Sequence, residues 1–108
     1  MTHKYGDENP VLKKAIRRIV HAGTINVWFA DPHAYDAMEE DKFDQEDVMI
    51  CLKRGTVYGP EIQNSQLRCN VIHQGIHINV VVGGLDDVNG DWTALQNITV
   101  VTVMRTST

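Results

Sequence analysis

Residues 66–82 read Gln66-Leu67-Arg68-Cys69-Asn70-Val71-Ile72-His73-Gln74-Gly75-Ile76-His77-Ile78-Asn79-Val80-Val81-Val82, and their period of two decides the fold class. Leu67, Cys69, Val71 and His73 fall on one side. Gln66, Arg68, Asn70 and Ile72 fall on the other, as in a half-buried strand. Gln74-Gly75 supplies a two-residue turn, because glycine takes the positive φ that such turns need. The returning strand puts Ile76, Ile78, Val80 and Val82 on the first side and His77, Asn79 and Val81 on the second. A turn of that length sets His73 opposite Ile76, Ile72 opposite His77, Asn70 opposite Asn79 and Arg68 opposite Val81.

Outward from this hairpin, residues 98–105 form a strand that is apolar on both faces, as a central strand would be. Residues 56–60 form a short strand that stops at Gly59-Pro60, and 83–92 a polar loop. Nearer the start the period is helical. Asn9-Pro10 caps a helix with Leu12, Ala15, Ile16, Ile19 and Val20 inward, Lys14, Arg17, Arg18 and His21 outward, and Gly23 as its stop. A strand is expected over 24–29. Asp31-Pro32 then opens a second helix with Ala34, Ala37 and Met38 inward. Asp44, with Asp47 completing a capping box, opens a third that carries Val48, Ile50, Cys51 and Leu52 and ends at Gly55. The order implies an α+β fold, with N-terminal helices packed on one face of a four- to five-strand, mainly antiparallel sheet. Residues 1–8 are expected to be a flexible N-terminus and 9–105 a single domain. The second sheet face, with Arg68, Asn70, His77, Asn79 and Arg105, would be half open and polar, and it is the first site candidate.

With 108 residues, 43% hydrophobic and 22% charged, the chain can bury one core and is neither disordered nor of low complexity. No apolar run is long enough to span a membrane. The first eight residues lack the apolar stretch of a signal peptide, and Cys51 and Cys69 suit a reducing compartment, so a cytoplasmic protein is expected. The formal charge of -4 argues against nucleic-acid binding by net charge alone. Its distribution is uneven. Residues 10–22 hold Lys13, Lys14, Arg17 and Arg18 and no acid, whereas 31–47 hold eight acids and one base, a local excess of seven. These are either two solvated helix faces or two docking surfaces of opposite sign. Cys69, His73 and His77 have metal-like spacing but lie on a strand with His77 turned away, so no metal is expected. The acids at 86–91 lack the closing glutamate of a calcium loop and read as a turn. Neither a phosphate-binding glycine loop nor a nucleophile elbow is present.

The run Asp31-Pro32-His33-Ala34-Tyr35-Asp36-Ala37-Met38, then Phe43-Asp44-Gln45-Glu46-Asp47-Val48, Leu52 and Gly55-Thr56-Val57, resembles a family described as plasmid-related proteins. The terminal Ile98-Thr99-Val100-Val101-Thr102-Val103 extends the likeness. That family is similar to BrnT and, more distantly, to RelE-type toxins of toxin–antitoxin pairs. The resemblance covers about residues 24–105. It implies a RelE-like toxin of a mobile element, an endoribonuclease that needs neither metal nor cofactor. His77 would then be its acid or base, and Arg68 and Arg105 would clamp the phosphate. Lys14, Arg17 and Arg18 would follow the RNA backbone. A cognate antitoxin or other basic protein would meet Glu39, Glu40 and Asp41, and the strand near Val57 would pair in a homodimer. Family members carry arginines where this chain has Ala37 and Asp41, and an acidic helix repels a polyanion. The alternative is therefore a non-catalytic module that binds a protein through its acidic helical surface.

Overall fold

A computed structural model of the chain describes residues 4–106. The first helix, α1 (Pro10–Ala22), begins where Asn9 accepts the Leu12 N–H at 2.9 Å and proline occupies the first turn. Residues 24–29, expected as one strand, form a 3₁₀ turn (Thr24–Asn26) followed by a three-residue strand, β1 (Val27–Phe29). Helix α2 (His33–Glu40) starts without a side-chain cap: Pro32, rather than Asp31, holds the capping position. Helix α3 (Gln45–Arg54) has the expected capping box, with Asp44 accepting from Asp47 N–H at 2.9 Å and Asp47 returning the bond at 3.1 Å. Gly55 follows, packed so tightly that an added Cβ would lie 2.7 Å from the Cys51 carbonyl oxygen and 2.9 Å from that of Ile72.

Four more strands complete one sheet: β2 (Thr56–Gln63), β3 (Gln66–His73), β4 (Ile78–Gly83) and β5 (Ile98–Arg105). Their order is β1-β5-β4-β3-β2. The β1–β5 pair is parallel and the other three are antiparallel. The fold is thus α+β, with helices packed on a sheet. Residues 98–105, expected to be central from their two apolar faces, are second in the sheet. Strand β4 is the middle strand, β1 flanks only residues 98–100, and Ile98, Val100 and Val103 alone of β5 are buried. Strand β2 does not stop at Pro60. It passes through a bulge between Tyr58 and Glu61, where Gly59 has φ 105°, and resumes pairing to Gln63.

The hairpin turn is longer than two residues. Gln74–His77 makes it, with a 3₁₀ turn at Gln74–Ile76 and His77 in the left-handed region (φ 54°). His73 therefore faces Ile78, and Ile72 faces Asn79. The register moves by two, so the strand residues keep their predicted faces, but Ile76 and His77 leave the strand.

One core cluster joins the expected inward residues of the three helices, except Ala37 and Ile50, which are half-buried, to Val57, Cys69, Val71, Ile78, Val80, Val82, Ile98, Val100 and Val103 of the sheet. Ile72 and Val81 are buried on the opposite face, outside that cluster. Residues 4–8, expected to be loose, run beside β2. Glu8 bridges Tyr58, the Gly59 N–H donates to the Asp7 carbonyl at 2.9 Å, and the Asn9 N–H donates to that of Val57 at 2.8 Å. This segment covers the β2 edge around Val57 that the homodimer expectation needs free. Met1–His3 lie outside the described residues.

Asn9 caps α1 and also donates from Nδ2 to the Gly59 carbonyl at 3.0 Å, so it ties helix to bulge. Asn9→Ala should cost about 1–2 kcal/mol. Urea unfolding would read this as a lower midpoint with an unchanged slope.

Candidate functional site

The second sheet face is not an open polar surface. Asn70 and Asn79 are 1% and 3% exposed, and the Asn70 Nδ2 donates to the Asn79 Oδ1 at 3.1 Å. From the far end of the bulged β2, Gln63 reaches back to donate to the Asn70 Oδ1 at 3.3 Å. Lys4 and Tyr5 close over the other end, leaving a cavity of about 320 Å³ that Ile72, Asn79, Met104 and Thr106 also line. Both amides serve packing: the pair satisfies part of its own hydrogen bonding under a covered face.

Nor are the three residues assigned to phosphate chemistry brought together. Arg68 is half-buried opposite Glu61 of β2, its Nη2 donates to the Gln66 Oε1 at 3.2 Å, and its buried Nε has no partner. His77 belongs to the turn beyond the other end of β3. Arg68 and His73 alone are five residues apart, about 17 Å at the usual strand rise. The His77 carbonyl accepts from the Thr106 N–H at 2.8 Å, while its Nδ1 is buried without a partner. Arg105 pairs with Ile78 and so shares the helix-side face, away from Arg68. Its Nη2 donates to the Asp41 carbonyl at 2.7 Å, its guanidinium lies 4.6 Å from the Phe43 ring centroid, and its N–H donates to the Asp41 Oδ2 at 3.1 Å. Arg105 and Asp41 thus fasten the end of β5 to the α2–α3 connection. No single phosphate could touch Arg68, His77 and Arg105 in this arrangement.

The basic helix divides into two kinds of residue. Lys14 and Arg17 are exposed on α1. The Arg18 Nη2 donates to three backbone carbonyls, those of Trp92, Thr93 and Leu95, at 3.3, 3.5 and 2.9 Å. It clamps the 3₁₀ turn Trp92–Ala94 and has no free geometry for tracking a nucleic-acid backbone. No sequence signal marks it out from Arg17, since its partners are carbonyls more than seventy residues away.

The acidic segment is different in kind. Helix α3 obeys the helix dipole, with Glu46 and Asp47 in its first turn and Lys53 and Arg54 in its last. Helix α2 follows the rule at its start, with Asp36 in the first turn, and departs from it at its end. Glu39 and Glu40 close it, no base of its own stands in its last turn, and the only cation on its terminal carbonyls among the described hydrogen bonds is Arg105, on Asp41. Glu39 and Glu40, both exposed, lie at the negative end of the dipole and each costs about 0.3–1 kcal/mol there. Ala34 and Met38 are buried, leaving Tyr35, Asp36, Glu39 and Glu40 on the outer side. Tyr35 is 42% exposed and stacks on Phe29 at 5.7 Å between centroids. This outer stripe is one aromatic ring among three carboxylates, held on a short, well-anchored helix.

Other chemistry is sparse. Among the described residues, no group of three or more histidine, cysteine or acidic side chains could hold a metal ion. Asp86 is spent on the Leu67 N–H, at 3.2 and 3.4 Å, and Asp91 on Thr93. No helix among the described residues is long and apolar enough to cross a membrane. Comparison of the chain with protein-family models, curated proteins and solved structures finds no match.

Burial pushes both thiols from the usual 9.0 up to about 12, and the Cys51 Sγ also donates to the Val71 carbonyl at 3.2 Å. The folded chain therefore holds these protons where the unfolded chain releases them. Stability should be unaffected below pH 9 and fall as the pH rises from about 9 towards 12. Alkylation should leave both cysteines unmodified in the native protein and label both in denaturant.

Proposed function

We propose that the protein is a non-catalytic protein-binding module that captures a basic partner chain through the acidic outer stripe of α2. The observation that carries this reading is the exposed pair Glu39 and Glu40 at the negative end of the helix dipole. Unlike Asp41, which fastens the end of β5 through Arg105, these two carboxylates have no hydrogen-bonding role in the fold among the described residues, and α3 in the same chain has its charges the favourable way round. Local rules broken without internal compensation point to function. Tyr35, stacked but partly exposed, supplies the apolar contact that lets an electrostatic encounter become a specific one. The competing reading, a metal-independent endoribonuclease of the RelE type, needs Arg68, His77 and Arg105 at one phosphate, and their separation counts against it.

A lysine-rich amphipathic peptide serves as probe in calorimetric titration. The wild-type protein should bind it with an affinity that falls as salt rises, and Glu39→Lys with Glu40→Lys should weaken binding at least tenfold. A reporter RNA incubated with the protein should stay intact. RNA cutting that resists a chelator and is lost in His77→Ala would overturn the proposal in favour of the nuclease.

A further inference from the structure

We infer that the basic partner is a second copy of this chain, whose α1 receives the α2 stripe in a head-to-tail contact; this rests on the reading of α2 as a docking surface. On the outer side of α1 lies a mainly apolar groove of about 530 Å³ between the helix and the Trp92–Ala94 turn. Val11, Ala15 and Trp92 line it, and Lys14 and Arg18 stand beside them. Val11 is 61% exposed, a large apolar side chain left open on a helix whose Leu12, Ile16, Ile19 and Val20 are buried. Arg18 fixes the far wall by holding the Trp92, Thr93 and Leu95 carbonyls, so the groove is built before anything enters it. Lys13, Lys14, Arg17 and His21 continue alongside as a strip with no acid between residues 10 and 22.

Such a groove calls for a segment with one apolar or aromatic anchor flanked by acids, and the chain itself carries one. Tyr35 can enter beside Trp92 while Asp36, Glu39 and Glu40 meet Lys14 and Arg17. On each helix these charges are three or four residues apart, one helical turn, so two helices laid side by side match them in register. The contact cannot form within one molecule: α1 packs on α3, β2 and the 92–94 turn, whereas α2 packs on β5. An RNA occupant is disfavoured because the floor is apolar and Arg18 is committed. Each copy offers one α1 groove and one α2 stripe, and a head-to-tail contact between them is heterologous and generates chains or a closed ring.

Sedimentation of the full chain at low ionic strength tests this. Wild type should associate beyond a dimer with rising concentration, and high salt should return it to monomer. Lys14→Glu with Arg17→Glu should be monomeric, as should Glu39→Lys with Glu40→Lys. These substitutions are on exposed positions, and circular dichroism should report unchanged helix content. Mixing the two variants leaves one intact groove and one intact stripe, so the mixture should stop at a one-to-one dimer. A wild type that stays monomeric, an unmixed variant that still dimerises, or a mixture that does not pair would overturn the inference. So would a monomeric wild type that binds an RNA oligonucleotide through Lys14 and Arg17. The lysine-rich peptide separates the two claims: peptide binding by a monomeric wild type defeats only the second-copy assignment, and loss of both defeats the α2 reading itself.

Discussion

The structure depends on β5 inserting between β1 and β4. Residues 98–105 are the last strand in the chain, yet they lie between β1, paired in parallel with residue 27 opposite residue 98, and β4. Ile98, Val100 and Val103 then close the core under the helices. The same strand carries α2 along its flank beyond the short β1, and its end is fixed by Arg105 and Asp41. Strand β5 supplies the main packing surface of α2, and Tyr35 adds its stack on Phe29 of β1. The end of the acidic helix is fixed by a contact between residues 64 apart in the chain, Asp41 and Arg105. Rigid presentation limits the ordering that a partner must offset on binding.

The charges follow from this scaffold in an instructive way. Several charged residues have structural work: Arg18 clamps a turn, Arg105 seals the end of the sheet, Asp44 and Asp47 cap a helix and Asp86 holds a strand end. The carboxylates of Glu39 and Glu40 stand apart from these roles and at an electrostatically unfavourable place. A molecule of net charge -4 that keeps one helix free of acid and crowds eight acids into seventeen residues has two surfaces suited to opposite partners.

Local signals in the sequence were readable and long-range ones were not. Asn9-Pro10 and the Asp44/Asp47 box act within one helical turn, so α1 and α3 follow directly from them. The alternation of 67–73 likewise reflects its own position in the sheet, whereas the two-sided apolarity of 98–105 points to a central strand and β5 lies second. The Gly59-Pro60 break reads as a strand end because Pro removes a ladder donor, yet a bulge absorbs it and the strand resumes. Gln74-Gly75 suggests a tight turn, whereas His77 takes the left-handed position that a glycine usually fills and lengthens it. That one misreading carried His77 onto a sheet face it does not occupy. The covering of Asn70 and Asn79 depends on Lys4, Tyr5 and Gln63, which come from distant segments and leave no periodic trace. Of the candidate site, the acidic cluster was legible as charge, but its inversion of the helix dipole required the helix boundary at Glu40.

The central claim is that the acids ending α2 are kept at the expense of stability. Thermal unfolding of Glu39→Lys beside Glu46→Lys tests it most directly, since the two substitutions change the net charge identically. The first removes an acid from the negative end of a helix and should raise the midpoint by roughly 2–5 °C. The second removes an acid from the positive end of α3 and should lower it. Midpoints that move in the same direction, or a Glu39→Lys variant less stable than wild type, would contradict the account.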